Sequence, residues 1–83
     1  MKNITKHTGK LVIIKRLKNS TMGNPKFLCA VINEARTGFG FETATNSSHG
    51  YSIENYKDRN VTVEIGTFRN KATLHTIKEL EVI

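Results

Sequence analysis

The sequence predicts a small, mainly β domain: a five-stranded barrel or curved antiparallel sheet with at most one short helix. Three observations point there. Apolar residues recur at every second position rather than every 3.6, most clearly in Val61-Thr-Val-Glu-Ile65, which alternates between a core face and a polar face. Clusters of Asn, Ser, Gly and Pro cut the chain into runs too short for long helices. Finally, a chain of 83 residues makes one domain that buries about 60 to 65% of its unfolded surface, which favours a compact core over a deep catalytic cleft.

Each element follows in order. Residues 1–9 read as a basic N-terminal arm and residues 10–83 as a single β domain. Residues 10–17 and 26–33 are the first two strands, and their Leu, Val and Ile on both faces fit strands packed on two sides. Between them Gly23 permits a positive φ and Pro25 forces Asn24 to be extended, so a hairpin loop is expected. Cys29 lies in the apolar run Phe27-Leu-Cys-Ala-Val-Ile32, where a thiol behaves as a small buried hydrophobe. Residues 38–44 are a third strand. Residues 45–60 have no sustained period and form a long connection with one helical turn around Tyr51 to Tyr56. The fourth strand is 61–65, the fifth 71–77 after a turn at 66–70, and 80–83 either extends the sheet or ends in a helical turn. Five short strands in hairpin order, with the long connection before the fourth, describe a barrel of the OB or SH3-like kind.

Charge narrows the partner. Met1 to Arg36 hold eight basic residues against Glu34 alone, while the remainder holds five basic and six acidic, so the net charge of +6 is concentrated in the first part of the chain. Such a local potential attracts polyanions, and nucleic acid is the default candidate. Hairpin pairing of the first two strands would gather Lys10, Lys15, Arg16, Lys18 and Lys26 around one loop, where they could track a phosphate backbone. Five such contacts imply a slope of about −3.5 to −4.5 in log affinity against log salt. The same lysines could equally guard exposed strand edges against sheet-to-sheet aggregation.

Arg36-Thr-Gly-Phe-Gly-Phe41 places two aromatic rings on one side of a strand, with glycines between them. This stretch resembles the Lys/Arg-Gly-Phe-Gly-Phe strand of cold-shock and RNA-recognition domains, with Thr37 inserted. The resemblance implies that Arg36, Phe39 and Phe41 stack single-stranded bases. The alternative is that both phenylalanines point into the barrel while Gly38 and Gly40 allow tight curvature.

A second resemblance covers more of the chain. Arg16-Leu-Lys-Asn-Ser20, Gly23-Asn-Pro-Lys-Phe27, Thr43-Ala-Thr, Tyr51-Ser-Ile-Glu-Asn55 and the Val61-Thr-Val strand look like a group of small proteins encoded by bacteriophages and other mobile elements. That likeness implies provenance and a shared β fold, and carries no functional residues.

Catalytic and metal-binding patterns are thin. His7, His49 and His75 are widely separated, one cysteine cannot build a thiolate zinc site, and no glycine loop has a phosphate-cradling form. No catalytic residue, metal or cofactor is expected. The lack of an apolar leader, with only residues 11–14 purely aliphatic against the ~20 needed to cross a bilayer, points to a cytoplasmic protein. The leading expectation is a non-enzymatic nucleic-acid binder, selective for single strands or for shape. The rival is a phage or mobile-element accessory protein that binds a host protein or sequesters an anionic nucleotide as a homo-oligomer.

Overall fold

The computed structural model describes residues 2–21, 23–44 and 49–80. Five strands, β1 (Lys2–Leu17), β2 (Lys26–Ile32), β3 (Gly38–Glu42), β4 (Asn60–Phe68) and β5 (Lys71–Glu79), close into a barrel in the order β1-β2-β3-β5-β4. A short helix, α1 (His49–Ser52), runs directly into a 3-10 turn (Ile53–Tyr56) between β3 and β4. All neighbouring strands are antiparallel except β3 and β5, which meet through the single parallel pair Glu42 and Thr73. The sheet is thus a closed five-stranded barrel with its short helical segment between the third and fourth strands.

The expected basic arm is not an arm. Over residues 2–9 it is the first half of β1, paired with β4 from Lys2 opposite Thr67 to Gly9 opposite Val61. At Lys10 the strand changes partner, because this residue faces both Asn60 of β4 and Ile32 of β2. Gly9 makes the changeover possible: a Cβ there would run into the Ile32 carbonyl. A bulge between Ile13 and Lys15 then bends the second half of β1 along β2.

Inward-facing residues follow from the register. Leu11, Phe27, Cys29, Val31, Phe41, Val61, Val63, Ile65 and Leu74 form one buried cluster, and Ile53 of the 3-10 turn joins it. Val61, Val63 and Ile65 are thus buried together, as their alternation requires. Burial pushes the Cys29 thiol up to about 12, so it stays a neutral apolar filler. Of the two tyrosines, Tyr56 packs against this cluster and Tyr51 is exposed.

Two strand expectations change. β1 and β2 are not covered on both sides, since Ile14 is 55% and Ile32 37% exposed on the barrel exterior. β4 and β5 run past their expected ends and leave a two-residue turn, Arg69-Asn70, both with positive φ. Positive φ at both central positions is the mark of a type I′ hairpin, whose twist matches the strands it joins. Gly23 takes the expected positive φ in the β1–β2 loop. Residues 81–83 of the last expected segment lie outside the described residues.

Candidate nucleic-acid interface

Cross-strand pairs place three rows on the outer face of β1, β2 and β3: Lys10-Ile32-Gly38, Val12-Ala30-Gly40 and Lys15-Leu28-Glu42. The rows carry no aromatic side chain. The glycines face outward, where a Cβ at Gly38 would come no closer than 3.9 Å to a neighbour and one at Gly40 no closer than 3.8 Å. The middle of this face is apolar, bounded by Lys10 at one end and by Lys15 and Glu42 at the other, and the backbone of β3 is open to a ligand at the two glycines.

The phenylalanines occupy the opposite face. Phe41 is 1% exposed in the core and cannot stack bases, so the implied platform is corrected at that residue. Because side chains alternate along a strand, outward glycines at 38 and 40 put both rings inward. Phe39 lies nearer the barrel mouth, 37% exposed, and its ring stacks on His7 of β1 at 3.9 Å and 18°. The Thr5 hydroxyl is 2.8 Å from Nε2 of that histidine.

The eight candidate residues do not form one patch. Lys15, Arg16, Lys18 and Lys26 surround the β1–β2 hairpin, whereas Lys10 and Arg36 sit at the other end of the strands. Two of the hairpin cations are committed to the fold. Arg16 donates through Nη2 to Asn19 Oδ1 at 2.6 Å and through Nη1 to the Lys26 carbonyl at 3.2 Å, with its guanidinium 5.1 Å from the Phe27 ring centre. Lys26 Nζ donates to Glu42 Oε1 at 3.0 Å, both side chains largely buried. Lys15 and Lys18 remain exposed.

The structure adds two cations from the half of the chain without excess charge. Arg69, at the tip of the β4–β5 turn, and Lys71 line a hollow of about 140 Å³ together with Lys26 and Glu42. Lys71 Nζ lies 3.6 Å from the second Glu42 oxygen. Burial raises the Glu42 pKa, but the hydrogen bond and charge of Lys26, with the charge of Lys71, outweigh it and hold the carboxyl below its ordinary value. The sequence held one signal for Arg69: a basic residue in a tight Arg-Asn turn, where asparagine or glycine is the usual choice.

His49 and His75, far apart in sequence, come within electrostatic reach of one another. Burial first, and then the charge of His75, lowers the His49 pKa. Among the described residues no three His, Cys, Asp or Glu side chains gather in a metal-binding group. Comparison with family models, curated proteins and solved structures returns no match, so the functional reading rests on the geometry of this chain.

Proposed function

We propose that this chain is a small non-enzymatic nucleic-acid-binding barrel that recognises backbone and shape rather than base sequence. One observation carries the reading: exposed cations from two hairpins distant in sequence, Lys15 and Lys18 on one and Arg69 with the Glu42-paired Lys71 on the other, lie at the same end of the barrel beside the outer face of β1 to β3. In OB-type barrels the outer face of the second and third strands, flanked by these two hairpins, is where oligonucleotides lie. Gly38 and Gly40 let a strand approach that face closely, and with no aromatic ring on its rows the affinity comes mainly from phosphate contacts.

Fluorescence anisotropy with single- and double-stranded probes over a salt series tests the proposal. Four phosphate contacts give a log–log slope of about −2.8 for single strands and −3.6 for duplex DNA. Charge reversal at Lys15 and Lys18 should weaken binding equally across probe sequences and flatten the slope by about half. Absence of binding at micromolar protein and low salt would overturn the proposal.

A further inference from the structure

At the opposite end of the strands a groove of about 720 Å³ lies between β1, the β2–β3 turn and the end of β5. Its size falls within the range of small-ligand sites, about 300 to 1,000 Å³. Val12, Ile32 and Leu80 supply an apolar floor, of which Ile32 and Leu80 are 37% and 39% exposed. Lys10 and Arg36 line the same groove, and Glu34 is the one carboxylate on its wall among the described residues.

The turn beside it contains an unfavourable residue choice. Arg36 N donates to the Asn33 carbonyl at 2.9 Å, Asn33 N donates to the Thr37 carbonyl at 3.1 Å, and Thr37 N donates to Asn33 Oδ1 at 3.0 Å. This is a three-residue hairpin loop whose last residue must be left-handed, a position that strongly favours glycine. Arg36 occupies it with φ 62°. Of the other four described non-glycine residues with positive φ, three are Asn or Asp, which tolerate that region, and the fourth is Arg69 of the β4–β5 turn; arginine is an uncommon choice there, and strain of this kind concentrates at ligand-binding positions.

We infer that this groove is a binding site for a single nucleotide unit, with the phosphate held by Lys10 and Arg36 and the base laid on Val12, Ile32 and Leu80. The apolar floor suits the face of a base, two cations suit one phosphate group, and Glu34 can accept hydrogen bonds from a base amino group or a ribose hydroxyl while repelling further negative charge. A free mononucleotide and one residue of a strand present this same chemistry. The groove shares Lys10, Val12 and Ile32 with the outer face described above but lies at the end of the strands away from the hairpin cations, and its binding of a free nucleotide does not depend on them.

Arg36→Gly supplies the discriminating variant because it removes the contact while relieving the turn. Its melting temperature should rise by roughly 2 to 5 °C. Amide shifts and calorimetry are read with AMP, with inorganic phosphate and with a single-stranded hexanucleotide. Wild-type shifts should centre on Lys10, Ile32 and Leu80, and Arg36→Gly should bind at least about tenfold more weakly, equivalent to 1.4 kcal/mol. Saturation by AMP identifies a free nucleotide as the source; Arg36-dependent groove shifts with the hexanucleotide alone identify a strand. The inference is overturned if Arg36→Gly binds both nucleotide probes as wild type does, if inorganic phosphate binds as tightly as AMP, or if neither probe perturbs the groove. Charge reversal at Lys15 and Lys18 separates the two sites, because it should leave the groove shifts with AMP unchanged whether or not the hairpin end binds polyanions.

Discussion

Phe39 and Phe41 are two residues apart on one strand yet carry different energies. Phe41 fills the barrel centre, and Phe41→Ala should cost about 3 to 5 kcal/mol. That is a large share of the roughly 4 to 12 kcal/mol expected for a domain of this size. Phe39→Ala loses mainly the His7 stack, about 0.5 to 1.5 kcal/mol beyond its modest buried area, and should stay folded. Urea titration of the two variants checks the ordering, and equal losses would contradict the burial difference. Val63→Asp should prevent folding altogether, since it puts an unpaired charge into the same small core; a cooperative urea transition for that variant would contradict the core assignment. Glu42 makes stability depend on pH. Its folded pKa lies below the ordinary value, so its stabilising contribution is present above the unfolded pKa and fades as pH falls through the folded one. Thermal melts from about pH 7 down to about pH 3 should show a loss of stability that Glu42→Gln makes shallower.

Among the elements, β1 does the most. A single strand serves as neighbour to both β4 and β2, and the handover depends on the missing side chain at Gly9. Gly9→Ala forces the two backbones apart and should destabilise the domain by about 1 to 3 kcal/mol, measurable as a lower urea midpoint with little change in slope. The sequence made the strands legible through alternation and made the β1–β2 loop legible through Gly23 and Pro25. It did not reveal residues 2–9 as a strand, because Lys, Asn, Thr and His in that stretch carry no strong apolar period, and their pairing is fixed by β4, which lies far along the chain. The Gly-Phe-Gly-Phe segment announced a strand with two unlike faces but not which face turns inward. That choice is made by the register with Val31 and Cys29, whose side chains are already buried.

On the scale of the whole molecule, charge asymmetry along the chain becomes a different asymmetry in space. Lys15 and Lys18 from the first half share one end of the barrel with Arg69 and Lys71 from the second, while Lys10 and Arg36 are left at the far end. A linear count of charges could not show this, because it ignores the antiparallel return of β4 and β5. A mainly β far-UV circular dichroism spectrum with under about a quarter helix is expected, in keeping with the two four-residue helical segments, α1 and the 3-10 turn.

Closing the sheet on itself removes the free strand edges through which β proteins aggregate. Here the ring closes at β3 and β5 through one residue pair, held from the side by the Glu42 carboxylate between two lysines. Protonation of Glu42 should therefore loosen this seam. When Glu42 is protonated both lysines lose their counter-charge, and opening at this point bares two complementary edges at once. As pH falls through the lowered folded pKa of Glu42, light scattering should reveal concentration-dependent self-association before the remaining strands unfold, and a covalent bridge across the seam should suppress it.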